Sequence, residues 1–193
     1  MFSVDGDNVI ITGGSRGIGL ALAEGFSSAG ANVIILDINP PEVEGNYNYI
    51  NCDLGNQDYI QVVLDRIFSD GFIPKVLINC AAVTIPAPSH QYSDADWRKS
   101  ISVNLDGVFT LCREVGRIMI NSSVSGSIIN FTSIGAEQGF ANNPGYAATK
   151  GAVKQLTKAL AVEWGEYGIR VNNIVPGYTN TPMNSKSWND PLL

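Results

Sequence analysis

One stretch narrows the possible folds more than any other: Thr12-Gly13-Gly14-Ser15-Arg16-Gly17-Ile18-Gly19. It follows a β-branched run at 9–12 and opens a helical pattern at 17–29. A strand that runs through a glycine turn into a helix is the context a phosphate-binding turn needs. Gly13 can make the tight turn, Gly17 lets backbone approach a pyrophosphate, and Gly19 lets helix and sheet pack closely. Backbone amides at the helix start, around Ser15, Arg16 and Ile18, then face the anion.

The rest of the chain repeats that unit. β-Branched runs at 32–37, 47–52, 75–79, 127–132 and 169–175 alternate with helical patterns at 56–69, 94–121 and 144–165. Several runs are apolar almost end to end, as strands covered on both faces must be. The alternation predicts an α/β fold, a doubly wound, mostly parallel sheet (a Rossmann fold), as a single domain over residues 1–193. No linker, repeat or low-complexity segment breaks the series.

In such a sheet the carboxyl ends of the strands face the ligand crevice, and chemistry-bearing residues gather there. Asp37 closes the second run, twenty residues beyond Gly17, where a ribose-binding carboxylate is expected. It would also repel a 2′-phosphate, whereas the Arg16 guanidinium could hold one. The balance favours NAD over NADP. Asp53, after the third run, could meet an adenine amino group or cap the helix that starts near Asn56. Asn79-Cys80-Ala81-Ala82 ends the fourth run with residues small enough to pass close to a ribose.

Tyr146 and Lys150 lie four apart in a helical pattern, one turn above each other on one face. A phenol titrates near pH ~10 in water, and a fixed ammonium beside it should draw that value towards neutrality. Such a pair can give and take a proton on an alcohol or carbonyl. Ser133 ends the fifth run, thirteen residues before Tyr146, and its hydroxyl could hold a substrate oxygen beside the phenol. Asn104 interrupts an apolar helical stripe and should hold a buried partner or a water. Pro176-Gly177, with Thr179 and Thr181 beyond, follows the sixth run and could bind a carboxamide. Val83, Thr84, Ile85, Phe140, Tyr178 and Met183 are the candidate substrate-pocket residues.

Composition excludes several other classes. A net charge of −6 and a pI near 4.6 argue against nucleic acid or an anionic membrane as partner. Three widely spaced cysteines with no Cys-x-x-Cys suggest neither a disulfide framework nor a zinc site, so we expect reduced thiols and a cytoplasmic protein. No signal peptide or membrane-spanning run is visible. The one histidine, His90, reads as a solvated loop residue.

Taken together, residues 12–19, Asp53-Leu54, Asn79 to Ala82, Asn104, Ser133, Tyr146 to Lys150 and Pro176 to Thr181 resemble the classical short-chain dehydrogenases/reductases, in that family's order and over nearly the whole chain. The resemblance implies hydride transfer between a nicotinamide and an alcohol or carbonyl, with no metal. It implies that Tyr146 is the general acid/base, that Lys150 lowers its pKa and bonds the nicotinamide ribose, and that Ser133 holds the substrate oxygen. Asn104 would position a water in a proton relay to Lys150. The second-strand Asp37 goes with NAD in that family. Cofactor contacts would come from Gly13, Ser15, Arg16, Gly17, Ile18, Gly19, Asp37, Asp53, Leu54, Asn79, Ala81, Tyr146, Lys150, Pro176, Gly177, Thr179 and Thr181. Ala82 stands where the family has glycine. Family members also continue into a further strand and a substrate-covering segment, so the resemblance implies that both are missing here.

A second enzyme reading is an NADP-dependent 3-oxoacyl reductase with Arg16 on the extra phosphate. A rival from another class is a truncated nucleotide-binding module without catalysis. Ala148, Ala152, Leu156, Ala159 and Leu160 suggest a second packing face on the last helix, and with it a homodimer or homotetramer.

Overall fold

The computed structural model describes residues 3–184. The six apolar runs are six strands: β1 (Asn8–Thr12), β2 (Asn32–Asp37), β3 (Asn48–Asn51), β4 (Val76–Asn79), β5 (Ser127–Phe131) and β6 (Arg170–Ile174). They form one sheet in the order β3-β2-β1-β4-β5-β6, and all five neighbouring pairs are parallel. The order reverses between β1 and β4, which opens a crevice at their carboxyl ends.

Alternation along each strand explains its composition. In β1, Ile10 faces one side with Leu77 and Ile128, while Val9 and Ile11 face the other with Val33 and Ile35. Helix α1 (Gly17–Ser28) covers the second side through Ala23, with Leu22 and Phe26 packed beside it. The first side lies under α2 (Gln57–Ser69), α4 (Gly107–Asn121) and α5 (Pro144–Trp164), through Leu64, Leu111, Val153 and Trp164. Both faces of the central strands are buried, so nearly every position in them must be apolar.

The sequence predicts one long helix over 94–121. The structure divides it into α3 (Asp94–Ile101), a π-helical turn (Ser102–Asp106) and α4. The wide turn sits where Asn104 meets the chain leaving β4. Asn104 Oδ1 accepts from Val83 N at 2.8 Å, and its Nδ2 donates to Val83 O at 2.9 Å. One amide thus replaces two ladder partners for a strand end that has left the sheet, and an extra residue in the turn aims it there.

The last helix needs a correction. Leu160 was expected on an outer packing face, but it is buried in the core, and Leu156 packs against the same core. Both therefore cover the sheet. Ala148 and Ala159 are exposed, as are Val162 on α5 and Phe109 on α4.

Candidate active site

The crevice at the carboxyl ends of the strands is a cavity of about 860 Å³. Its floor starts at the glycine turn. Gly13 has φ +66°, and a Cβ there would stand 2.7 Å from the Ala81 backbone, so β1 can pass β4 this closely only as glycine. Gly17 has φ +56° and opens α1, with Thr181 across the turn. Arg16 precedes α1 in extended conformation, and no side chain caps that helix end. By contrast, α2 and α3 are capped by Asn56 and Ser93, each about 3.0 Å from the amide it serves. The uncapped amides of α1 leave an anion site facing the cavity.

Asp37 stands at the end of β2 on the same wall. Its Oδ2 accepts from Ser15 N at 3.2 Å and its Oδ1 from Asn39 N at 3.1 Å, which hold the carboxylate at the cavity edge. The Ser15 hydroxyl donates to Asn39 O at 2.5 Å. Ser15 is buried behind the cavity and buttresses Asp37 rather than lining the space. Asp53 and Leu54 line the next section. Asp53 turns back to accept from Gly55 N at 2.8 Å, and the capping of α2 falls to Asn56. A glycine-rich turn, helix-start amides with no side-chain cap and a rim carboxylate are the chemistry that fits an adenine dinucleotide.

The far end holds the residues suited to proton transfer. Ser133, Tyr146 and Lys150 all line the cavity. Lys150 is buried, its Nζ donates to Phe131 O at 2.6 Å, and it lies 5.6 Å from the centre of the Tyr146 ring. Burial pulls the Lys150 ammonium down to about 8, with the Cys80 thiol opposing. The phenol differs from the sequence expectation. Burial pushes the Tyr146 pKa up, the Ser133 hydroxyl pulls against that, and Cys80 adds a further push. The Lys150 ammonium is not among the causes of that shift, and its Nζ is directed at the Phe131 carbonyl. Cys80 itself is pushed up to about 11, chiefly by burial, and is a neutral thiol.

Besides Ser15, two predicted site residues stand outside the cavity lining. Asn79 is buried beneath the sheet, where its Nδ2 donates to Asn130 Oδ1 at 2.8 Å, so its side chain serves the core and not the cavity. Asn104 is fully buried. Besides Val83 it reaches Thr149 Oγ1 at 3.3 Å, and Thr149 in turn donates to Tyr146 O at 2.9 Å. It is tied to the turn that carries Tyr146, and its amide is used by Val83 and Thr149. Pro176, Gly177, Thr179 and Thr181 close the cavity from the β6 side. Tyr178 there meets Phe140 edge to face, with centroids 6.4 Å apart. Of the expected pocket residues, Ile85 lies outside the lining. The sequence reading overlooked Asn142 and Asn143, which do line it. Their position three and four residues before Tyr146 was the available signal. His90 is exposed and away from the cavity.

The pattern of the short chain dehydrogenase family matches residues 7–192. The chain belongs to the short-chain dehydrogenases. A D-threitol dehydrogenase from Mycolicibacterium smegmatis is 31% identical over 98% of this chain and 76% of its own. A 2-dehydro-3-deoxy-D-gluconate 5-dehydrogenase from Pseudoalteromonas atlantica is 37% identical over 93% of this chain and 75% of its own. Among solved structures, 4-hydroxyisoleucine dehydrogenase complexed with NADH superposes with a TM-score of 0.92 at 30% identity, covering 96% of this chain and 79% of that one. A gluconate 5-dehydrogenase from Burkholderia cenocepacia in complex with NADP and tartrate gives 0.91 at 34% identity, covering 98% and 78%. This short-chain dehydrogenase is thus an NAD(P)-dependent oxidoreductase. No described helix is long and apolar enough to cross a membrane.

Proposed function

We propose that this short-chain dehydrogenase transfers hydride between NAD(H) and a small hydroxylated alcohol or its ketone, with Tyr146 as general acid/base. The observation that carries the reading is the meeting of Ser133, Tyr146 and Lys150 at one end of a cavity whose other end is a phosphate-binding turn. The nicotinamide, when bound, supplies or accepts the hydride. The chain's own residues handle the proton. Ser133 holds the substrate oxygen, and the Tyr146 Oη carries the proton that this oxygen gains or loses. A phenol with a raised pKa is neutral at pH 7 and so is ready to donate. Lys150, anchored to the end of β5 through Phe131 O, offers a charged donor towards a ribose. Asn104 acts one step back, by fixing Val83 and the Tyr146 turn.

Asp37 supports NAD over NADP, because a 2′-phosphate would have to approach a carboxylate held at the rim by two backbone amides. At an effective dielectric of ~20, unit charges ~4 Å apart repel by about 4 kcal/mol. The names of similar proteins support a hydroxylated substrate, since they specify a tetritol and sugar acids. The test is turnover with NAD and NADP over a panel of polyols, hydroxy acids and simple alcohols, for the wild type and Asp37→Ala. We expect turnover with NAD, and a shift towards NADP in the variant. A wild type that already prefers NADP, or an unchanged preference in Asp37→Ala, contradicts the NAD assignment.

Self-association belongs to the same reading. Phe109 is 41% and Val162 86% exposed on the outer faces of α4 and α5, which suits an isologous contact between copies. Light scattering should give at least a dimer mass, and a monomer mass over a wide concentration range would count against it.

A further inference from the structure

Helix α5 starts at Pro144, with Asn143 in the cap position. Asparagine is among the best capping residues, because its side-chain carbonyl can accept from the second or third amide of the helix. Here it makes no such bond. The Asn143 side chain turns away from its own helix and donates from Nδ2 to Thr84 Oγ1 at 2.8 Å. Its Oδ1 is buried and has no hydrogen-bond partner. A buried carbonyl without a donor costs free energy that an ordinary cap would have relieved. The arrangement therefore has no structural return at the helix end.

Position gives it another use. Asn143 and Tyr146 are three residues apart at the start of α5, in the segment that brings both to the cavity. Thr84 and Asn143 both line the cavity, as Tyr146 does. The chain around them is braced. Ala87 N donates to Asn142 O at 2.9 Å, and Val83 is clamped by Asn104 at both its amide and its carbonyl. Thr84 accepts from Asn143, so its own O–H is available to donate. The terminal torsion of asparagine is soft, which lets the amide adjust to a ligand. Ile134, Phe140 and Tyr178 also line the cavity, with the two rings in edge-to-face contact.

Resting on the reading of Tyr146 as the group that meets the reacting oxygen, we infer that Thr84 and Asn143 form a subsite for a second hydroxyl, on a carbon adjacent to the reacting carbinol. The substrate class is then the vicinal diol or polyol, with its carbon chain against the Ile134, Phe140 and Tyr178 side. Thr84 donates to the second hydroxyl and Asn143 Oδ1 accepts from it. That satisfies the orphaned carbonyl and makes a monohydric alcohol the poorer ligand. Sites built to hydrogen-bond a substrate hydroxyl discriminate strongly against analogues that lack it.

The test compares 2,3-butanediol with 2-butanol, which differ by that hydroxyl. Oxidation is followed in the wild type, Thr84→Val, Thr84→Ser and Asn143→Ala. We expect kcat/KM in the wild type to favour the diol by at least about tenfold. The preference should persist in Thr84→Ser and collapse in Thr84→Val and Asn143→Ala. Calorimetric titration of both alcohols into the enzyme saturated with NAD reads the same subsite by affinity, whether or not turnover is fast. Equal kcat/KM and equal affinity in the wild type, or a preference that survives Thr84→Val and Asn143→Ala, overturns the inference. If the diol preference behaves as expected while Tyr146→Phe turns over normally, the acid/base reading fails and the subsite stands.

Discussion

Two buried polar systems lie under α5, and they are built in opposite ways. One is a chain of side chains across β4, β5 and β6. Asn79 Nδ2 donates to Asn130 Oδ1, and Asn130 Nδ2 donates to Thr157 Oγ1, each at 2.8 Å. The Thr157 proton serves Val153 O and Asn173 Oδ1, at 2.9 and 2.8 Å. Asn173 ends the chain on Lys154 O. Only Asn79 Oδ1 is left over. The other system is the Tyr146–Lys150 end of the cavity. There a buried ammonium has one carbonyl partner at 2.6 Å and no carboxylate among the described residues. The first system fixes three strands to one helix and is nearly satisfied. The second keeps a desolvated charge and a desolvated phenol beside open space. Groups held in an unfavourable environment without structural need are candidates for chemistry, and satisfied groups are candidates for architecture.

The largest expected effect comes from Lys150→Met. Turnover should fall by about 10²–10⁴-fold, in keeping with loss of a group that supports proton transfer. Stability at pH 7 should hold, because a buried charge leaves along with its one hydrogen bond. Lys150 titrates near 8 in the fold and near ~10.4 in an unfolded chain. Between those values the unfolded chain binds more protons at this site, so the Lys150 contribution to stability rises with pH across that window, while the raised thiols of Cys52, Cys80 and Cys112 act the opposite way in wild type and variant alike. Denaturant unfolding from pH 7 to 10 should show the wild type gaining stability relative to Lys150→Met as the pH rises. Parallel pH profiles in the two proteins break the comparison.

Next in size, Asn130→Ala removes the centre of the satisfied chain. It leaves Asn79 Nδ2 with only the weak Cys112 Sγ acceptor at 3.3 Å and takes the donor from Thr157, and at ~1–3 kcal/mol per buried orphan the loss should be about 1–3 kcal/mol. Turnover per folded molecule should stay within about twofold. If activity falls as far as it does for Lys150→Met, the two systems are not separable. The smallest effect sharpens the same contrast at the helix ends. Asn56→Ala removes a working cap from α2 and should cost ~1 kcal/mol in thermal or denaturant unfolding, whereas Asn143→Ala, which removes no cap, should cost less.

How much of this was legible in the sequence follows the same division. The strands were readable because both faces of the sheet are covered, so apolar runs mark them directly. The predicted β2 range, 32–37, matches the observed Asn32–Asp37. Gly13, Gly17 and Asp37 were readable because backbone conformation and charge at a strand end leave little choice of residue. The break in the long helix was not readable, since the π turn answers a tertiary contact between Asn104 and Val83 that lies 21 positions away in the chain. Asn79 was misassigned for the same reason, as its position at a strand end says nothing about which face its side chain takes. The sign of the Tyr146 shift depended on burial, which spacing from Lys150 does not reveal. Asn143 stands in the cap position of α5, and only the hydrogen bonds show that it does not cap the helix.

The central claim is that Tyr146 carries the proton. The most direct measurement is single-turnover hydride transfer in Tyr146→Phe beside the wild type, with NADH dissociation constants for both. The substitution removes one oxygen and leaves the ring packing in place. The account predicts a rate lower by about 10²–10⁴-fold with NADH affinity unchanged. Near-normal transfer in Tyr146→Phe would contradict it.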